Sequence, residues 1–102
     1  MHKLVVLYPP QPDPEAFKAY YVKTHIPLAR KLSGLLALRY SFDVQGVAGA
    51  PPYFCVFEAE FKDGAALGAA MGSPQGQLVA ADVPNFARNP PTLIHYAVES
   101  SM

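Results

Sequence analysis

The pattern of hydrophobic and polar positions divides the chain into four strand-like runs separated by two helical regions. The first run, from Lys3 to Tyr8, is β-prone and ends at a proline cluster that cannot continue a central strand. Two longer runs, 35–44 and 53–61, are joined by the loop sequence GVAGAPP and should pair antiparallel. The run 92–98 alternates well enough to be the last strand.

The first helical region begins with a strong start signal. Asp13 precedes Pro14 and Glu15, the order typical of an N-cap, a first-turn proline and an acidic first turn. At about 100° per residue, one stripe of the helix carries the larger side chains. These are Phe17, Tyr21, Thr24, Leu28 and Leu32, with Tyr20 beside them. The pattern predicts an amphipathic helix that ends near Gly34.

Pro27 falls inside this predicted helix. It removes the backbone donor that would bond the Lys23 carbonyl, and it disfavours helical geometry at Ile26. We therefore expect a kink or a break near His25.

The second helical region contains two start signals. Asp63 should cap a short alanine-rich helix that runs through Met71, and Ser73 with the following proline should cap another that runs to about Val83, where Pro84 stops it. The resulting order is β-α-β-β-α-β with the second helical region divided. This is the ferredoxin-like α+β motif, in which a four-stranded antiparallel sheet carries its helices on one face. We expect one such domain over residues 1–102.

Both faces of the predicted sheet look largely apolar. In the first strand, Leu4 and Val6 alternate with Val5 and Leu7, and the last strand repeats this arrangement. A monomer would expose the second apolar face to water. We therefore expect a homodimer, in which two sheets pack face to face around a lined cavity, as in a dimeric α+β barrel.

Composition and charge exclude several partner classes. Eight basic residues balance eight acidic ones, and no basic run is present, so nucleic acid is not an expected partner. The apolar run near the N-terminus is too short for a signal peptide or a membrane span. A lone cysteine, Cys55, cannot form an internal disulfide and has no metal-binding spacing around it. These features favour a cytoplasmic protein without a membrane partner.

Two segments resemble the signatures of the EthD family. They are YYVKTHIPL at 20–28 and DVPNF at 82–86, and their order and separation agree with the predicted elements. The resemblance extends over nearly the whole chain and implies the dimeric α+β barrel fold. Proteins with a similar fold include isomerases, cofactor-free oxygenases and haem-binding enzymes, so the resemblance does not define a reaction.

His25 and Asp82 are the candidate catalytic residues. His25 lies on the flank of the apolar stripe, where an imidazole could act as a general base or acid near neutral pH. Alternatively, it is a partly buried histidine that bonds a carbonyl freed by Pro27. Asp82 sits at a helix C-terminus, where the dipole disfavours a carboxylate. Either it pairs with His25 and orients the imidazole, or it caps the turn that follows it.

Six further residues are candidates for binding a ligand. Tyr21 and Leu28 neighbour His25, while Asn85 and Phe86 could line a cavity mouth. Tyr40 belongs to a large set of phenols that pack in the core or orient a ligand. His95 lies mid-strand with its direction undecided, and it is the main candidate for a haem ligand. These six ligand-binding candidates are Tyr21, Leu28, Tyr40, Asn85, Phe86 and His95.

Three functions fit these observations. The first is an enzyme that acts on a small apolar oxygenated or aromatic compound in catabolism or secondary metabolism, with His25 as the proton shuttle and Asp82 as its orienter. Such an enzyme would be an isomerase or oxygenase without a cofactor, or an EthD family reductase-like enzyme. The second is a non-catalytic module that binds a ligand or supports a neighbouring oxygenase, and the third is a haem-binding barrel protein. The chain has no GxGxxG, phosphate loop, paired cysteines or HExxH, so we expect neither a nucleotide cofactor nor a zinc ion.

Overall fold

The structure is a computed structural model and describes residues 1–100. Its four strands are β1 (His2–Tyr8), β2 (Ala37–Ser41), β3 (Cys55–Phe61) and β4 (Thr92–Ala97). They form one sheet in the order β2-β3-β1-β4, and every neighbouring pair is antiparallel. The helices cover the face that carries the buried residues of β1 and β3. The predicted ferredoxin-like α+β fold is confirmed.

The helical regions begin at the predicted caps. The first comprises α1 (Pro14–Tyr20), a π-helical turn (Tyr21–His25) and α2 (Ile26–Ala29). The second comprises α3 (Gly64–Gly72), α4 (Pro74–Asp82) and a 3-10 turn (Val83–Asn85). At the starts of α1, α3 and α4, the cap side chain accepts a hydrogen bond from a backbone N–H three residues later. These caps satisfy donors that the first turn leaves unpaired.

Several elements are shorter than the sequence pattern indicates. The strand predicted over 35–44 is reduced to β2, because β2 is an edge strand that pairs only with β3 and its ladder ends at Ser41 opposite Val56. The first helical region ends at Ala29, well before Gly34, whose φ of +78° suits a glycine. Pro84 does not stop α4 directly, because it lies inside the 3-10 turn.

The expected irregularity near His25 is a widened helical turn. Ile26 donates its backbone N–H to the carbonyl of Tyr21, five residues earlier, and Pro27 has no N–H to restore the regular ladder. The additional residue in this turn shifts the buried face, so that Tyr21 is followed by His25 and not by Thr24. His25 therefore lies in the middle of the buried face and not on its flank.

An aromatic cluster joins the first helical region to the sheet. The Phe17 ring lies 4.9–5.3 Å, centroid to centroid, from four other rings in edge or stacked geometry. The four partners are Tyr8, Tyr21, Phe54 and Phe86. Because Phe86 follows the 3-10 turn, this cluster also fixes the end of the second helical region against the first.

The outer face of the sheet is less apolar than the sequence suggested. The half around β1 and β4 does carry apolar side chains such as Val5 and Ile94. The half around β2 and β3 instead carries ion pairs, because Lys3 lies 2.9 Å from Glu58 and Arg39 lies 3.3 Å from Glu60. The expectation of a largely apolar second face is therefore corrected to a face that is half apolar and half charged.

Candidate functional site

His25 and Asp82 meet inside the protein. The imidazole Nδ1 lies 2.9 Å from Asp82 Oδ2, and the two residues are only 4% and 6% exposed. The π-helical turn supplies His25, and the last residue of α4 supplies Asp82. The pair therefore joins the two helical regions beneath the sheet.

Two further side chains bind the other oxygen of the carboxylate. The hydroxyl of Tyr20 donates to Asp82 Oδ1 over 2.6 Å, and the amide of Asn85 donates to the same oxygen over 3.1 Å. Asp82 makes no side-chain bond to the backbone of the following turn. Side-chain donors, and not backbone capping, thus account for a carboxylate at the unfavourable end of a helix.

Burial decides the protonation of His25, whereas hydrogen bonding decides that of Asp82. Burial lowers the pKa of His25 below its usual value, and the nearby Asp82 opposes only part of that effect. Burial would raise the pKa of Asp82, but the hydrogen bonds from Tyr20, His25 and Asn85 outweigh it and hold this pKa below its usual value. At neutral pH the carboxylate is therefore ionised and the imidazole is neutral.

This charge state fixes the tautomer of His25. An ionised carboxylate can only accept, so His25 must carry its proton on Nδ1 and donate it to Asp82. The ring is held in place by Phe86, at a centroid distance of 4.6 Å, and by Tyr21, at 5.3 Å. Nε2 has no hydrogen-bond partner within residues 1–100, so its lone pair is available.

His25 lines an apolar cavity of about 360 Å³ between the sheet and the second helical region. Its lining is formed mainly by aliphatic, aromatic and proline side chains from β1, α2, α4 and the loop before β4. His25 and Tyr8 are the lining residues that carry polar side-chain atoms. This cavity lies within a single chain, on the helical side of the sheet. The cavity that we expected between the two sheets of a dimer stays a prediction.

Comparison with known proteins identifies the family of this chain. The profile of the EthD domain matches residues 9–90, a span that includes both His25 and Asp82. The chain belongs to the EthD family.

Its similarity to individual EthD and ferredoxin-like proteins extends over nearly the whole chain. An uncharacterised 11.0 kDa protein from the thcB-thcC intergenic region of Rhodococcus erythropolis is 30% identical over 95 residues, covering 92% of this chain and 91% of that protein. The crystal structure of an EthD family protein from Bacillus halodurans matches with a TM-score of 0.88 and 31% identity, over 96% of this chain and 98% of that one. A dimeric ferredoxin-like protein of unknown function from Jannaschia sp. matches with a TM-score of 0.68 and 23% identity, over 95% and 97% of the two chains.

The six ligand-binding candidates predicted from the sequence lie outside the lining of this apolar cavity. Tyr21 is fully buried behind His25, whereas Leu28 and Tyr40 are half-buried around the core. Asn85 and Phe86 line an outer cleft on the other side of the pair. Their contacts with Asp82 and His25 support the pair directly, although they do not face the cavity.

His95 also lies outside the cavity lining. It is exposed on β4, and its Nδ1 lies 2.9 Å from Nε2 of His2. His95 is paired with Leu4 of β1, and paired residues point to the same face of the sheet. Because Leu4 is buried under the helices, His95 also points to the helical side. The main haem candidate therefore offers no ligand inside this cavity.

Tyr20 is the site residue that sequence reasoning missed. In a regular α-helix, residues five apart lie about 140° apart around the axis, so Tyr20 and His25 should not reach the same partner. The widened turn reduces this angle, and both side chains reach Asp82. The proline two positions after His25 was the available signal, but it predicts an irregularity without defining its form.

In the part of the chain that the structure describes, neither a metal cluster nor a membrane-spanning helix accompanies this site. Within residues 1–100, histidine, cysteine, aspartate and glutamate side chains form no cluster of three or more that could hold a metal ion. None of the helices in this part of the chain has the length and hydropathy that a membrane crossing requires.

The buried pair predicts that stability falls in acid. Because the pKa of His25 is lowered by folding, the unfolded chain binds more protons than the folded one just below pH 6.5, so lowering the pH favours unfolding. Each pH unit between the folded and unfolded pKa values contributes about 1.4 kcal/mol. Urea unfolding at pH 7.5 and pH 5.0 should show this loss for the wild type. The His25→Gln variant should lose less over the same interval, and an equal loss in both proteins would contradict the assignment.

Proposed function

We propose that the protein binds a small apolar molecule in its cavity and that His25 takes a proton from it. The observation that carries this proposal is the combination of an apolar lining with one neutral histidine, whose Nδ1 is bonded to a buried carboxylate. A cavity of about 360 Å³ falls within the range of small-molecule sites.

The proposed chemistry uses only groups of this chain. Nε2 of His25 accepts a proton from an acidic C–H or O–H group of the ligand, leaving an enolate or another oxyanion. The Asp82 carboxylate stabilises the imidazolium that forms, as the third member does in base-orienter arrangements. The imidazolium then returns its proton to the same atom or to a different one. Return to a different atom is an isomerisation and requires no cofactor.

The lining distinguishes this proposal from simple storage of a ligand. A module that only sequesters an apolar compound needs no basic group in its cavity, and burying a polar group without compensation is costly. His25 lines the cavity and is bonded to Asp82, whose carboxylate is held by two further donors, Tyr20 and Asn85. This arrangement favours proton transfer, and the experiment below distinguishes it from a non-catalytic accessory module.

We place this activity in the cytoplasm, where the free and buried Cys55 stays reduced.

We further propose that the protein works as a homodimer through the outer face of its sheet. Ile94 and Tyr96 on this face are large side chains that are 45% and 44% exposed. The adjoining charged half contains two cations and two carboxylates, so a second copy turned by a two-fold axis can meet it without net repulsion. The ferredoxin-like protein from Jannaschia sp. is described as dimeric, which supports the same use of the fold here.

The proton-transfer proposal can be tested with 2-tetralone, a neutral, apolar carbon acid. Incubation in D₂O at pH 7 should exchange its α-protons, and ¹H NMR should show an exchange rate about 10²-fold above that of buffer. His25→Gln should remove this acceleration, because glutamine cannot accept the proton. The matched control is His95→Gln, which should retain it because His95 lies outside the cavity lining.

Binding of the probe is measured separately from exchange. Shifts of methyl resonances in the cavity, such as those of Leu4 and Val79, should report 2-tetralone in the wild type and in His25→Gln alike. Binding with equal exchange rates in both proteins would refute the base and favour the accessory module. Absence of methyl shifts at any accessible concentration would refute the ligand site itself.

The dimer predicts a specific response to charge on the outer face. Light scattering after size-exclusion chromatography at micromolar concentration should give twice the 11.0 kDa mass of the chain. Ile94→Lys should give monomers, because it places an unpaired charge in the apolar half of the interface. Leu78→Lys, at an exposed site on α4, should remain dimeric. A monomeric wild type, or a dimeric Ile94→Lys variant, would contradict the proposal.

A further inference from the structure

We propose that Tyr20 is a positioning residue, whose hydroxyl fixes the Asp82 carboxylate and thereby the tautomer and proton affinity of His25. The bond from the Tyr20 hydroxyl to Asp82 Oδ1 is 2.6 Å, and the bond from His25 Nδ1 to Oδ2 is 2.9 Å. Each oxygen of the carboxylate is therefore bonded to one of these two residues. Tyr20 and His25 both belong to the first helical region, and both bond the carboxylate of Asp82 at the end of α4 in the second.

Tyr20 acts from outside the cavity. It lines the outer cleft, a space of about 280 Å³ that also contains Asn85 and Phe86, and it is absent from the lining of the apolar cavity. The Phe86 ring lines the outer cleft and contacts residues of both spaces, since it is stacked 5.6 Å from Tyr20 and tilted 4.6 Å from His25. A ligand in the cavity thus meets His25 and not Tyr20, so any influence of Tyr20 must pass through Asp82.

The physical effect of the hydroxyl has a definite sign. A carboxylate that accepts several hydrogen bonds distributes its negative charge among its donors, and each donor stabilises the ionised form. If the hydroxyl is removed, more of that charge is available to the remaining partners. The imidazolium form of His25 then becomes more favourable, so the pKa of His25 should rise.

Few other charges near His25 could obscure this effect. Asp82 faces it from α4, while Tyr21 stacks on it from its own helix and Tyr8 lines the same cavity from β1. Burial raises the pKa of both tyrosines, so both remain neutral through the range in which histidine titrates. On the cleft side, Asp13 and Arg88 line the space that Tyr20 enters. Neither of them lines the cavity.

The test is an NMR titration of the His25 imidazole in the full-length protein. Tyr20→Phe keeps the ring that stacks on Phe86 and removes only the hydroxyl, so it should raise the pKa of His25 by about half a unit or more. Tyr96→Phe, on the outer face of the sheet, is the matched control and should leave this pKa unchanged. An unchanged His25 pKa in a folded Tyr20→Phe variant would overturn the proposal.

A second substitution tests the opposite sign. Difluorotyrosine placed at position 20 has a more acidic hydroxyl and is a stronger donor, so it should lower the pKa of His25. This measurement decides the question even if Tyr20→Phe does not fold, because the hydroxyl is retained. A His25 pKa that stays the same or rises would overturn the proposal.

The consequence for proton transfer rests on the proposed function, but the titration does not. If His25→Gln retains the exchange of 2-tetralone while Tyr20→Phe shifts the His25 pKa, the positioning role stands and the catalytic one fails. If His25→Gln abolishes exchange and Tyr20→Phe shifts nothing, the base stands and the role of Tyr20 fails.

Discussion

The carboxylate of Asp82 is buried between two helical regions, and the rest of the site depends on how it is satisfied. A buried charge without partners would cost far more than a domain of this size can offset. Here the charge is bonded by Tyr20, His25 and Asn85, which belong to the end of α1, the π-helical turn and the 3-10 turn. Leaving a buried hydrogen-bonding group without its partner typically costs about 1–3 kcal/mol, and more when the group is charged. The bonds therefore hold the helices together and set the protonation of His25 at the same time.

The π-helical turn is the local feature that makes this arrangement possible. By inserting one extra residue into the turn before Pro27, it moves His25 to the centre of the buried face and brings Tyr20 within reach of the same carboxylate. The aromatic cluster around Phe17 then keeps Phe86 against the imidazole. While Nδ1 is bonded to Asp82, His25 also lines an apolar cavity. A neutral base in a water-poor space is suited to removing a proton from an uncharged molecule.

The fold could be predicted from the sequence because its signals are local. Caps at Asp13, Asp63 and Ser73 and the alternation in the strands mark the elements, and the segments around His25 and Asp82 match the EthD family. The contact between His25 and Asp82 was one of two alternatives, the other being that Asp82 caps the turn after it. Helix spacing alone cannot say which residues meet across the fold.

Other features of the site depend on information that the sequence pattern does not contain. The widened turn changes the helical phase after Tyr21, so Leu28 was assigned to a face that it only partly occupies. The alternation in the strands suggested a largely apolar second face, whereas the ion pairs around β2 and β3 make half of that face charged. The contribution of Tyr20 depends on tertiary contacts between α1 and α4, which no local pattern encodes.

Neutron diffraction from crystals grown in D₂O at neutral pH would test the protonation of the buried pair most directly, because it locates the hydrogen isotopes on the imidazole. We predict deuterium on Nδ1 of His25, directed at Asp82, and none on Nε2. Deuterium on Nε2, with or without a second on Nδ1, would contradict the assigned tautomer and the free Nε2 lone pair on which the proposed base depends.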